Sequence, residues 1–409
     1  MLGDKVPLRL LLLIVFFIVV IIIFLSLRGV DESVEEQPTV GALLDPINTK
    51  NSVELCLNSR ESYHGRWHGK AQSQWISNVL WAAGKAPITG SYRTIYVATN
   101  ENVYIYNPDN HSLSLQVSGD HRSDKNAAFQ IGWSSDRIID SGSSLLLAEL
   151  ESVALWDGTS SQLASCPRQS DVSNANTNWK TKSKIDMISS FGIRRVGGLN
   201  SKLVAKSSDD SLPNPSTDGK VSMKNAIDGG IYGKPIASED LKIDEISQLL
   251  WAAYGCTPHK TYNSRSGLTV PSAYANYYLT DKIYMSNQNG VYVYHNRNPT
   301  KDLSTKDHRI EQIKSDDVRE DLQSAISDLP KAPCYVIICL DESVSDEVFP
   351  LLETGFASGA LFAQASAMEL TSHFRTDFTD EEKSSIISVT NIQAQNEPVV
   401  IISVGRLKI

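Results

Sequence analysis

Arg60 and Ser62 stand two residues apart in Arg60-Glu61-Ser62-Tyr63-His64. An arginine presents a planar fork of donors that pairs phosphate oxygens, and a serine hydroxyl adds a further donor at the same place. The same two residues serve equally well as a surface salt bridge and a helix cap. Further positive charge comes from the pair Arg194-Arg195, which also reads as solvated loop arginines, or from Arg406 near the end of the chain. His64 and His68 have four-residue spacing, but a glycine and a cation lie between them and no third ligand is near, so a metal is not expected. No Gly-x-Gly-x-x-Gly after a strand, no Walker loop and no Gly-x-Ser-x-Gly elbow occurs, which removes support for a Rossmann dinucleotide fold, an ATPase and an α/β-hydrolase.

The elements that would position these residues come in two copies. Ile76-Ser77-Asn78-Val79-Leu80-Trp81-Ala82-Ala83 returns as Ile246-Ser247-Gln248-Leu249-Leu250-Trp251-Ala252-Ala253, and Val103-Tyr104-Ile105-Tyr106 returns as Val291-Tyr292-Val293-Tyr294. The first echo is offset by 170 positions and the second by 188, so the second copy carries 188 − 170 = 18 extra residues, Arg265 to Ala273 among them. The apolar spacing of Ile76–Ala83 predicts an amphipathic helix, and Thr94–Thr99 with Asn102–Tyr106 predicts two strands across an Asn-containing turn. Ser144–Trp156 and Val348–Leu370 read as buried helices, and Pro398–Val404 as a buried strand. Each half is therefore expected to be α+β, with helices on a mainly antiparallel sheet. Asp120-His121-Arg122 and Asp307-His308-Arg309, offset by 187, read as one turn inherited by both halves. An internal duplication in which one half holds a segment the other lacks suggests a dimer fused into one chain, with one shared site.

The expected organisation is a membrane anchor over 1–29, an acidic tether over 30–50, a first half over 51–206, a linker over 207–239 and a second half over 240–409. Leu10 to Leu27 is apolar apart from Ser26 and spans roughly 27 Å as a helix, close to the thickness of a bilayer's hydrocarbon core. It is longer than a signal peptide's apolar region and has no small-residue exit. Lys5 and Arg9 precede it and Asp31, Glu32, Glu35 and Glu36 follow, so the N-terminus is expected inside the cell and the body outside. A net charge of −9 and a pI near 5.4, with no basic stripe, argue against a nucleic-acid partner. Five cysteines without a Cys-x-x-Cys pair announce neither a zinc site nor a disulfide framework, although one disulfide stays open outside the cell. Cys334 and Cys339 flank Tyr335-Val336-Ile337-Ile338 and read as core residues of a strand.

The second half resembles the nitroreductase superfamily of flavoproteins, and within it the branch of the thiazole- and oxazole-forming peptide dehydrogenases. The resemblance runs in order through Ser247–Gly255, Thr269-Val270-Pro271-Ser272-Ala273, Gly290–Tyr294, Glu353-Thr354-Gly355-Phe356-Ala357 and Pro398–Arg406, covering about residues 240–409. The first half is similar to a more diverged copy over about 51–200. The resemblance implies FMN in the cleft between two subunits, its phosphate held by an Arg-x-Ser motif and basic residues near that subunit's C-terminal end, while a Pro-Ser segment of the other subunit lies along the flavin. Carried onto this chain, Arg60, Ser62 and His64 take the phosphate role with Arg194-Arg195 or Arg406. Pro271, Ser272 and Ala273 take the flavin face, and Tyr274, Tyr277 and Tyr278 are candidate walls. The first half lacks Pro-Ser and the second lacks Arg-x-Ser, so the halves complement each other and one FMN per chain is expected. Glu61 departs from the pattern, because a second arginine is common there. The reading that follows is a membrane-anchored, FMN-dependent oxidoreductase whose substrate and electron donor are not legible. A cofactorless scaffold or interaction protein is the alternative, favoured by Glu61 and by histidine at 64. A peptide-azoline dehydrogenase is the third.

Overall fold

In the computed structural model, residues 41–159, 161–195, 198–203, 212–261, 265–297 and 306–408 are described. The expected anchor, Leu10 to Leu27, and most of the acidic tether lie outside them. Among the described residues no helix is long and apolar enough to cross a membrane.

The first half begins with a short strand, β1 (Gly41–Ala42), and a helix, α1 (Val53–Ser59), whose N-cap Ser52 accepts from the backbone of Leu55. The Ile76–Ala83 pattern belongs to α2 (Ser73–Lys85), which buries Ile76, Val79, Leu80 and Ala83 on one face. Strands β2 (Arg93–Ala98), β3 (Asn102–Asn107), β4 (Ser112–Ser118) and β5 (Phe129–Ser135) follow. Then come α3 (Ile138–Ala154), β6 (Gln162–Pro167), α4 (Val172–Asn178) and β7 (Met187–Arg194). The sheet runs β1-β4-β3-β2-β5-β7-β6, with every pairing antiparallel.

The second half opens within the region read as linker, with α5 (Met223–Asp228), capped by Ser222 as α1 is capped by Ser52. Composition alone missed this helix, since six residues carry too little periodicity to see. There follow α6 (Ile243–Tyr254), the hairpin β8 (Cys256–Lys260) and β9 (Ser266–Leu268), β10 (Ile283–Asn287), β11 (Gly290–Arg297), β12 (Lys306–Lys314), α7 (Arg319–Ala325) and β13 (Cys334–Asp341). The chain closes with α8 (Val348–Ala367), β14 (Leu370–Arg375), α9 (Asp380–Thr390) and β15 (Asn396–Arg406). This sheet runs β12-β11-β10-β13-β15-β14, again wholly antiparallel. Apart from the edge strand β1, the two sheets carry their strands in the same order. The extra residues of the second half supply β8 and β9; in the first half, 86–92 joins α2 straight to β2.

The halves meet along α3 and α8, both buried over most of their length. A β-carbon on Gly355 would lie 2.3 Å from the carbonyl oxygen of Ile139, and one on Gly142 would lie 2.4 Å from that of Leu352. Backbone therefore touches backbone, which only glycine permits. Ser52 and Ser222 form an antiparallel bridge at the same interface. One triplet recurs. Ser77 Oγ contacts His111 Nε2 at 2.8 Å and Tyr106 OH contacts Nδ1 at 2.8 Å; Ser247, His308 and Tyr294 repeat this at 2.7 and 2.9 Å. The counterpart of His308 is thus His111, and the pairing of His308 with His121 is corrected. His121 sits in the turn after β4, against the Ser118 carbonyl, whereas His308 lies within β12. The five cysteines are buried and free; Cys334 and Cys339 lie in the core strand β13.

Candidate active site between the two halves

Arg60 is the C-cap residue of α1, and the extended backbone there turns its side chain inward. Only 2% of it is exposed. Nη1 lies 3.4 Å from Glu149 Oε2 on α3, Nε donates to the Thr269 carbonyl at 3.1 Å, and Nη2 donates to the Leu268 carbonyl at 3.3 Å. Arg60 therefore does meet the segment that leads into Pro271 and Ser272, but as a tie inside the protein. Burial lowers the pKa of Arg60 and raises that of Glu149, and each opposes the other's shift. A phosphate at Arg60 would have to displace two carbonyls and leave a wholly buried carboxylate without its partner.

Two of the other expected cations, Arg194 and Arg406, are also answered by carboxylates. Arg194, buried at the end of β7, pairs with Glu61 and donates twice to Gln162 Oε1, at 2.9 and 2.7 Å. Arg406 binds Glu239 at 2.9 Å and Glu245 at 2.8 Å, so it belongs to an ion-pair group of the second half. The hydrogen bonds it donates to Glu245 and Glu239 raise its pKa. Arg195 is exposed. Ser62 is held by a parallel bridge to Ser165, and exposed His64 has Nδ1 3.7 Å from Cys166 Sγ, its pKa lowered by partial burial and by Arg168. Among the described residues no three His, Cys, Asp or Glu side chains gather to hold a metal ion.

A cleft of about 250 Å³ opens between the halves, walled by Asn58, Ser59, Glu61, Arg194 and Asn200 of the first and by His259 of β8. It is smaller than the roughly 300–1,000 Å³ of most small-molecule sites. Burial pushes His259 down to about 3, so the ring is neutral at physiological pH. The ring packs over Gly267 on the neighbouring strand, where a β-carbon would lie 2.1 Å from Nε2. The repeat offset could have pointed to His259, because it lies where the second copy is longer. Among the described residues, one cation and one carboxylate line this wall, without net charge. The residues present do not fit the phosphate of FMN, a dianion whose capture needs surplus positive charge.

Pro271 is buried, Ser272 and Ala273 are half-buried, and Ser272 Oγ accepts from the backbone of Tyr277 at 2.8 Å. Beneath them Glu353, wholly buried on α8, takes the Tyr254 hydroxyl, and burial raises it to about 7. Tyr274, Ala275 and Tyr277 have φ of 53°, 53° and 57°, a left-handed run of non-glycine residues that stores strain. Tyr277 is buried, with its hydroxyl on the Ser266 carbonyl, and Tyr278 OH accepts from Asn276, so both serve local packing. Tyr274 is 67% exposed, edge-on to Phe349.

No protein-family model matches the chain, and no curated protein matches it significantly. Solved structures do. A protein described as a nitroreductase from Anabaena variabilis aligns over 91% of this chain and 94% of its own, at 12% identity and a TM-score of 0.57. One so described from Ralstonia eutropha aligns over 52% of this chain and 97% of its own, at 18% identity and a TM-score of 0.39. An FMN-dependent nitroreductase from Clostridium difficile covers 43% of this chain and 82% of its own, at 13% identity and a TM-score of 0.29. At 12% identity over nearly the whole of both chains, the likeness to the Anabaena protein is one of fold, and the fold of this chain is nitroreductase-like.

Proposed function

We propose that this protein is a nitroreductase-fold pseudo-dimer, internally duplicated, which works by binding in the cleft between its halves and does not hold FMN by its phosphate. The equal strand order of the two sheets and the recurring Ser-Tyr-His triplet support the duplication. The observation that carries the cofactor-free reading is that Arg60, Arg194 and Arg406 are each paired with a carboxylate of the protein itself. The apolar run from Leu10 to Leu27 supports tethering to a membrane, with the body outside the cell.

An FMN-dependent oxidoreductase is the second reading. It is favoured by strain concentrated in the turn after Pro271-Ser272, since such strain persists where the surroundings impose it and gathers at functional sites. The peptide-azoline dehydrogenase stands or falls with it, because both need the flavin. The absorption spectrum of the purified protein separates the readings. A colourless protein that leaves added FMN free in equilibrium dialysis is expected. A yellow protein that releases FMN on denaturation overturns the first reading.

A further inference from the structure

The chain contains one Asn-x-Ser/Thr triplet whose middle residue is not proline, Asn110-His111-Ser112. Asn214-Pro215-Ser216 and Asn298-Pro299-Thr300 are both closed by proline. The open triplet lies at the tip of the hairpin between β3 and β4, where Asn107 faces Ser112 across the last rung and residues 108–111 make the turn. Residues 107–110 are exposed. Ser112 Oγ donates to Asn110 Oδ1 at 2.5 Å, while Asn110 Nδ2 donates to no described residue. The hydroxyl two positions on is thus engaged with the amide, whose nitrogen is left unused on an exposed side chain. The turn itself is anchored. His111, at φ 48°, is held by Ser77 and Tyr106, and its carbonyl accepts from the backbone of Leu43. Among the described residues the Asn110 side chain bonds only to Ser112, so a substituent on Nδ2 takes nothing from the core.

We infer that Asn110 is the attachment site of one N-linked glycan, transferred from an oligosaccharide carried on a lipid pyrophosphate. Nδ2 bonds to the anomeric carbon of the first sugar as the bond from that carbon to the pyrophosphate oxygen breaks. Its electron pair leaves with the pyrophosphate, one Nδ2 proton passes to a base of the transferase, and no redox partner is needed. A bulky, hydrophilic adduct suits a convex tip of this kind, where it stays in water. The inference rests on the reading that places the body outside the cell, since the transfer takes place on exported chains.

The test is peptide mass spectrometry of the full-length chain purified from the membranes of its native cells, paired with protease treatment of intact and of permeabilised cells to locate the body. The peptide holding Asn110 should carry a saccharide mass in the parent and in Ser112→Thr, and none in Ser112→Ala or Asn110→Gln. Ser112 pairs with Asn107 and Ala42 through its backbone, so Ser112→Ala should unfold at the parent's midpoint and report recognition alone. An unmodified Asn110 on a body that protease reaches in intact cells overturns the inference and spares the topology. A glycan that persists in Ser112→Ala also overturns it. A body cut only after permeabilisation overturns the topology and the inference together, so the failures are distinct.

Discussion

Replacing Arg60 with methionine tests whether this residue is an internal tie or a cofactor ligand. The substitution keeps most of the volume and removes the charge. It leaves Glu149, with no exposed surface, without its counterion, and it orphans the carbonyls of Leu268 and Thr269. Breaking a buried pair by removing one partner costs about 3–5 kcal/mol, a factor of a hundred or more in the folding equilibrium. The sign with pH follows from Glu149, whose pKa burial already raises above its ordinary 4.5. Without Arg60 it rises further, so the variant keeps most of its stability below the ordinary value and loses it as pH climbs through the raised one. Arg60→Met with Glu149→Leu removes both charges, and replacing a buried pair by apolar residues is often neutral, so the double variant should recover most of the loss. Urea unfolding followed by tryptophan fluorescence at several pH values measures all three proteins. An Arg60→Met protein as stable as the parent, or one that is stable but has lost bound flavin, would refute this account.

Gly355→Ala and Gly142→Ala, which in an ordinary helix would each stabilise by about 1 kcal/mol, should here destabilise by about 1–3 kcal/mol, since the new carbon meets the backbone of the facing helix; calorimetric unfolding of each variant gives the sign. Glu151 and Glu353 are buried acids raised to about 8 and about 7, so their contribution is whole below the ordinary carboxyl value and is lost as pH rises through 7 and 8. The unfolding midpoint should therefore fall across that window and flatten when both become glutamine, and an unchanged slope would count against the assignment. A chain starting near Glu36 should stay in the soluble fraction while the full chain sediments with membranes; equal partitioning would end the anchor reading.

The order of elements was legible because it is written in neighbouring residues. The alternation of Val103-Tyr104-Ile105-Tyr106 and the helical spacing of Ile76–Ala83 each need only a few positions to declare a strand or a helix, and the echo of both in the second half announced two similar sheets. Boundaries were less so: the helix expected to start at Ser144 starts at Ile138, and the one expected to reach Leu370 ends at Ala367, where a strand takes over. Equal spacing also misled at His121, because loops of unequal length shift the offset to 308 − 111 = 197 for the true counterpart, and only the shared contacts with serine and tyrosine identify it.

What the sequence determined by itself was residue type: an arginine and a serine with the chemistry to hold a phosphate, and a Pro-Ser segment in the other half to face it. Tertiary structure decided whether that chemistry is available. Glu149 is 89 positions from Arg60, and Glu61 is 133 from Arg194. No local pattern links such partners, since a charge's worth depends on what the fold brings within a few ångströms and how much water it removes. The same holds for His259, an unremarked residue of an insertion until its hairpin lays it over Gly267 and against the first half, where it walls the cleft from the second half.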